Sequence, residues 1–358
     1  MKILLAHSDP KLAARESIDL WRIIRPFKEL SKHVDWQIDH VPYLLDESKQ
    51  QPDGGYLPDD LAEMAERYGQ YDIIWTGYFV DERLFDVLSF VSMKFGTKVV
   101  VDIDDDFYHL PKHNNFWNDP YGGIKGLKEV HWIIENSDYV VTSTPNLKKE
   151  LDKHVRGKTY ILPNYIGSDY KHKKFENQDV VISYFGSITH KKDVSETGFL
   201  EALQRITHKY KNVRVGTVGI KIDAYLPKQR YTHHNGIAGK RYITEVWPNI
   251  NADISCAPLE DNQFNRCKSN IKWFESAYIP SAFIASNIEP YKGSVEDGKT
   301  GLLVENNADS WYKALERLVL DAKLRKQLAH NAKIEVKRNW DISTNWMRLK
   351  EIIEDVTT

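Results

Sequence analysis

The sequence predicts an α/β fold made of two doubly wound domains. Three observations carry that expectation. Short apolar runs alternate with helically spaced stretches from one end to the other. The runs are rich in β-branched residues and bounded by polar ones, the pattern of parallel strands covered by helices on both faces. A chain of 358 residues also exceeds the usual size of one domain.

Taken in order, Ile3–Ala6, Ile73–Thr76, Lys98–Ile103, Tyr139–Thr142 and Thr159–Leu162 read as the buried strands of the first half. Ile18–Leu30, Leu61–Tyr68, Phe85–Phe95, Leu127–Ser137 and Leu147–His154 carry helical spacing between them. Pro163-Asn164-Tyr165-Ile166-Gly167 breaks the alternation, so a first domain over 1–166 and a linker over 167–179 are expected. A second domain over 180–339 has Val180–Phe185, Val213–Val218, Ala252–Cys256, Ala282–Ala285 and Leu302–Val304 as strands. Thr197–Tyr210, Ser269–Tyr278, Ser310–Asp321 and Ala322–Arg338 are its helices. Residues 340–358 read as an amphipathic helix expected to pack back on the first domain.

Composition narrows the function. Lys and Arg number 49 against 51 Asp and Glu, so no overall basic field favours nucleic acid. Two cysteines, Cys256 and Cys267, give no disulfide framework and point to a reducing, cytoplasmic setting. The apolar run at the N-terminus is too short for a signal peptide, and none approaches the ~18 residues of a membrane span.

Several segments carry chemistry. Lys268-Ser269-Asn270-Ile271-Lys272-Trp273-Phe274-Glu275 reads as a helix start, with Ser269 and Asn270 as favoured capping types. Such a start presents unpaired backbone N–H groups and a positive dipole end, suited to a diphosphate, and Lys268 and Lys272 add charge. Glu275, about a turn and a half along, can accept two hydrogen bonds from a ribose diol. After the first strand of the second half comes Phe185-Gly186-Ser187-Ile188-Thr189-His190-Lys191-Lys192-Asp193. There Gly186 permits close backbone approach, and Lys191 or Lys192 can neutralise a leaving diphosphate.

In the first half, Val99-Val100-Val101-Asp102-Ile103-Asp104-Asp105-Asp106 runs a strand straight into three acids. Three readings of Asp104, Asp105 and Asp106 stand open: a resemblance to GT-B glycosyltransferases implies that they orient or deprotonate an acceptor hydroxyl, one to the Asp-x-Asp motif of GT-A enzymes implies that they hold a divalent metal on a donor diphosphate, and otherwise they cap a turn. His109 lies in an aromatic- and Asn-rich loop, and His7-Ser8-Asp9 follows the first strand; both are candidate acceptor-side elements.

The order of motifs from Asn251 to Trp340 resembles the C-terminal domain of glycosyltransferase family 4 and its GT-B relatives. Ala252–Pro258 is similar to the strand entering the donor site, and Lys268–Glu275 to the donor-binding helix start. Ile279-Pro280-Ser281-Ala282-Phe283-Ile284-Ala285-Ser286 is similar to the family's G-x-P-V-I-A-S strand, and Asp297-Gly298-Lys299-Thr300-Gly301-Leu302-Leu303-Val304 to its D-G-x-T-G-L-L-V turn. Leu324 to Lys337 resembles its closing helix. The Thr-His-x-x-Asp order at 189–193 resembles a subset met in phages and surface-glycan loci. Trp21-Arg22-Ile23-Ile24-Arg25-Pro26 resembles the subset's Arg-x-x-x-Pro segment.

The resemblance implies two Rossmann-like domains facing across a cleft, the first on the acceptor side and the second binding a nucleotide sugar. It implies a retaining transferase that takes a UDP- or GDP-linked sugar as substrate, with no tightly bound cofactor and no metal. Gly186, Ser187, His190, Lys192, Lys268, Ser269, Asn270, Lys272 and Glu275 fall on the donor side, Lys191 and the aspartates on the catalytic side, and His7, Asp9 and His109 on the acceptor side. One departure stands out: the place of the first glutamate of the family's Glu-x7-Glu motif falls on Cys267. The acceptor stays open among glycan, protein, lipid-linked sugar and modified base of DNA. The rival classes are a sugar-nucleotide epimerase or hydrolase of the same fold, and a non-catalytic nucleotide-sugar binder.

Overall fold

The computed structural model describes residues 1–7, 18–45, 47–51, 56–79, 81–119, 121–167, 170–173, 178–186, 188–236 and 241–358. The chain divides into two units, Met1–Pro163 joined by Trp346–Thr358, and Asn164–Asn345.

The first unit is built on a six-stranded sheet: β1 (Lys2–Ala6), β2 (Gln37–Val41), β3 (Ile73–Gly77), β4 (Lys98–Ile103), β5 (Tyr139–Thr142) and β6 (Lys158–Ile161). Its order is β2-β1-β3-β4-β5-β6, and every neighbouring pair is parallel. The crossovers carry α1 (Arg25–Leu30), α2 (Pro58–Tyr68), α3 (Glu82–Phe95), α4 (Gly123–Asn136) and α5 (Pro145–Leu151). Ile3, Ile73, Ile74, Trp75, Val100 and Val101 are fully buried in the central strands, which is why these read as continuous apolar runs. Strand β2 escaped the sequence reading. It is an edge strand whose residues Gln37–Val41 are exposed or half-buried, so no apolar run marks it.

Asp81 caps α3 and Thr144 caps α5, each accepting from a backbone N–H of the first turn. The last helix of the chain, Met347–Thr357, buries Leu349, Ile352, Ile353 and Val356 in this first unit. Asp355 on that helix accepts hydrogen bonds from Tyr160 (2.6 Å) and Lys158, and Trp346 stacks on His33 at 4.2 Å between ring centroids. The chain enters this helix through a break at Trp340–Asp341. There the Ile166 N–H donates to the Trp340 carbonyl, and the Ile342 N–H to that of Ile166.

The second unit holds β7 (Val180–Gly186), β8 (Val213–Gly219), β9 (Tyr231–His234), β10 (Ile254–Ala257), β11 (Ala282–Ser286) and β12 (Leu302–Val304). The order is β12-β11-β10-β7-β8-β9, again parallel throughout. Edge strand β9, Tyr-Thr-His-His, also escaped the sequence reading, having no apolar face to betray it. The core joins Ile182, Val215, Ile254 and Ile284 of the sheet to Phe199, Leu203, Trp311 and Leu315 of the covering helices. Among the described residues no helix is long and apolar enough to cross a membrane.

Candidate functional site

In the second unit the strand order turns back between β7 and β10. Connections leave the carboxyl ends of these neighbours in opposite directions, and ligands of open α/β sheets bind where that happens. Beyond β7, which ends at Gly186, come a 3-10 turn Ile188–His190 and a short helix Lys191–Glu196. Beyond β10 it passes Pro258 to Glu260, a helical turn Gln263–Arg266, and the helix Ile271–Tyr278.

One carboxylate ties these segments together. Asp193 is 5% exposed and accepts from the Glu260 backbone N–H (2.8 Å), Asn265 Nδ2 (2.9 Å) and His190 Nδ1 (2.7 Å). Burial alone would raise its pKa, but the His190 hydrogen bond leads the interactions that hold it below the usual carboxylate value. The other imidazole nitrogen, His190 Nε2, lies 3.4 Å from Lys272 Nζ on the first turn of the helix Ile271–Tyr278. Burial, with Lys272 acting the same way, pulls the His190 pKa down to about 4. Burial also pulls Lys272 down to about 8, with Lys268 acting the same way and Asp193 opposing.

Glu275, one turn on, is 6% exposed and accepts from the Tyr170 hydroxyl at 3.4 Å and from the phenol of Tyr242. Burial, reinforced by Glu275, lifts Tyr242 well above its ordinary pKa, so it stays a donor. Lys268 places its ammonium 4.3 Å over the Phe264 ring. The helix Ile271–Tyr278 starts without a side-chain cap. The capping role expected of Ser269 and Asn270 is therefore corrected. Ser269 Oγ accepts from Asn164 Nδ2 (2.9 Å), and Asn270 sends its amide to Ser294 Oγ (2.7 Å). The backbone N–H groups of that first turn are left without side-chain partners from the cap.

Gly186 ends β7 against Tyr184, whose hydroxyl lies 2.5 Å from where a Cβ on residue 186 would sit. Cys267 is 1% exposed with its thiol 3.6 Å from Gln263 Nε2. Lys191 and Lys192 are both exposed on their short helix. Ser187 lies outside the described residues. The sequence reading assigned no role to Asp193 or Asn265. The signal for Asp193 was its three-residue spacing from His190, which puts both side chains on one helical face.

Residues 168–335 match the family described as glycosyl transferases group 1. Solved structures of GT-B glycosyltransferases share the whole fold. Sucrose-phosphate synthase from Thermosynechococcus elongatus is 14% identical with a TM-score of 0.65, covering 99% of each chain. HepE from Anabaena in complex with UDP-glucose is 14% identical with a TM-score of 0.65, covering 99% of this chain and 100% of that one. A glycosyltransferase from Rickettsia africae is 15% identical with a TM-score of 0.64, covering 99% and 98%. No curated protein matches at the level of sequence alone. The two parallel sheets are thus two Rossmann-like domains, the GT-B fold that these structures share.

In the first unit the acids of the aspartate run differ in their surroundings. Asp106 is fully buried, accepting from the Tyr108 N–H (3.0 Å) and pairing with His109 Nδ1 (2.9 Å), which is a turn-capping role. Asp104 and Asp105 are half-buried beyond the end of β4. The fold is GT-B, so the GT-A fold on which one reading of this run rested is corrected. His109 is also 3.8 Å from Glu150, and Tyr108 stacks between His131 and His154. His7 pairs with Asp19 at 3.2 Å, and Asp9 lies outside the described residues.

The Arg-x-x-x-Pro segment has a structural answer. Arg22 is 1% exposed and grips buried Asp102 with Nε (2.7 Å) and Nη2 (3.2 Å), while Nη1 donates to the Leu162 carbonyl (2.5 Å). That pairing ties the helical segment after β1 to β4, the strand that leads into the aspartates.

Proposed function

We propose that the enzyme transfers a sugar from a uridine or guanosine diphosphate donor to an acceptor hydroxyl, with retention of configuration and without a bound metal. The observation that carries the reading is the convergence of His190, Lys268, Lys272 and Glu275 at the turning point of the second sheet. Departure of a nucleoside diphosphate places negative charge on phosphate oxygens, and two lysines with the uncapped start of the helix Ile271–Tyr278 offset it there. Positive charge from protein thus stands where a cation would otherwise act. Glu275, held by Tyr170 and Tyr242, receives the ribose hydroxyls. Gly186 lies against the diphosphate and His190 stands behind Lys272, while a donor-side role for Ser187 rests on the resemblance alone.

Retention follows from the resemblance to family 4. The uridine form of the donor is favoured by HepE, a similar fold bound to UDP-glucose. The first unit takes the acceptor, with Asp104 and Asp105 orienting or deprotonating its hydroxyl and His7 and His109 lining that side. The buried thiols Cys256 and Cys267, neither in a disulfide, suit a reducing cytoplasm.

Calorimetric titration with UDP, UDP-glucose, GDP and GDP-mannose, with and without EDTA, tests the donor site. Binding that ignores EDTA and is lost in Glu275→Ala is the expected result. Asp104→Asn and Asp105→Asn should lower transfer while leaving nucleotide affinity intact. Absence of binding by every nucleotide refutes the reading. Donor consumption that proceeds at full rate without acceptor replaces transfer with hydrolysis or epimerisation.

A further inference from the structure

The donor-site reading leaves one arrangement unused. Asp193 has no route to substrate of its own, being 5% exposed with three hydrogen bonds already made. What it does determine is the state of His190. A carboxylate only accepts, so the contact at Nδ1 requires the imidazole to carry its proton there. The Nε2 lone pair is then left to accept, and the group 3.4 Å from it is the Lys272 ammonium. Donation from Lys272 to Nε2 fixes one of three N–H bonds and leaves two to point elsewhere. Were the imidazole protonated at both nitrogens, a cation would face a cation across that distance. Burial keeps it neutral at ordinary pH.

The lysines that sequence reading placed on the phosphates, Lys191 and Lys192, are exposed on the helix Lys191–Glu196. Lys272 instead sits half-buried among His190, Asp193, Lys268 and Glu275. A lysine has a long flexible stem, so a held ammonium is worth more to a transition state than a mobile one.

Resting on the donor-site reading above, we infer that Asp193 and His190 are positioning residues that aim the Lys272 ammonium at the leaving diphosphate. In this chain they make a helix-borne lysine the principal phosphate cation. The acid fixes the tautomer, the tautomer supplies the acceptor, and the acceptor holds the lysine.

The experiment compares UDP with UMP, and GDP with GMP, by calorimetry on the full chain, since only the diphosphates reach the second phosphate position. Four variants are used: Lys272→Met, Asp193→Asn, His190→Leu and His190→Gln. Thermal melting reports folding in each. Losing charge-assisted hydrogen bonds to a phosphate should weaken diphosphate binding roughly tenfold or more in the first three. Monophosphate affinity should move little. His190→Gln, whose amide oxygen can accept from Lys272, should recover most of the loss.

Equal losses for mono- and diphosphate in Asp193→Asn and His190→Leu overturn the inference, since that is what a merely structural role gives. So does unchanged diphosphate binding in Lys272→Met, or a His190→Gln variant no better than His190→Leu. A wild-type chain that binds none of the four nucleotides overturns the donor-site reading and this inference with it. Wild-type binding with unaffected variants overturns the inference alone.

Discussion

Replacing Arg22 with Met should destabilise the first unit far more than the loss of one surface charge would. Arg22 is 1% and Asp102 2% exposed, and the guanidinium makes two contacts to the carboxylate and one to the Leu162 carbonyl. Removing one partner of such a pair strands the other charge in a low-dielectric interior, at about 3 to 5 kcal/mol. Trp75 Nε1, 3.3 Å from Asp102, still donates to the carboxylate and places the expectation toward the lower end. That is a large share of the roughly 5–15 kcal/mol that holds a domain folded.

Hydrogen exchange on peptides spanning 98–103 and 158–161, with urea unfolding, would read the loss in this unit specifically. Burial already raises the Asp102 pKa, with Arg22 opposing it. In Arg22→Met the opposing charge is gone and the folded-state pKa rises further above the unfolded one. The folded chain then binds more protons than the unfolded one, so the deficit should shrink as pH is lowered toward 5. The double variant Arg22→Met, Asp102→Leu removes both charges and should recover most of the stability. A cost below about 1 kcal/mol in the single variant, or a double variant as unstable as the sum of the singles, would refute the reasoning.

The second unit gives three more expectations. Burial brings Lys272 down to about 8, with His190, Asp193, Lys268 and Glu275 facing it. Because only the charged form attracts a phosphate, UDP affinity should fall as pH rises through that value, and binding should take up a proton. Titration in buffers of different ionisation heat measures this, and a flat profile between pH 7 and 9.5 would contradict it. The same lowered pKa means the unfolded chain holds more protons above pH 8, so this lysine alone makes stability rise with pH there. Gly186→Ala puts a methyl group 2.5 Å from the Tyr184 hydroxyl and 2.8 Å from its ring carbon, and that ring is only 1% exposed. A shift of the urea midpoint worth about 1–3 kcal/mol is expected, together with weaker UDP binding; an unchanged midpoint would show that the ring moves freely.

What the sequence determined by itself is the sum of its local patterns. Central strands such as Ile73–Gly77 and Ala282–Ser286 are buried on both faces, so covered parallel sheets were legible as apolar runs. The ordered motifs from Asn251 to Trp340 marked the half that matches the glycosyl transferases group 1 family, and Lys268, Lys272 and Glu275 could be singled out from one helix start. Edge strands β2 and β9 were not legible, because a half-exposed strand needs no apolar run. Nor was the division of labour among the acids. Asp102 proved an ion-pair partner and Asp106 a turn cap, and nothing in a run of carboxylates says which one an arginine 80 residues away will claim.

Only the tertiary structure decided which lysine is held and by what. His190 and Lys272 stand 82 residues apart, and they meet because β7 and β10 are neighbours where the sheet turns back. Strand order is a property of how the helices pack across the sheet, and no local period encodes it. The contacts that set a tautomer and fix an ammonium therefore appear only once the chain has folded.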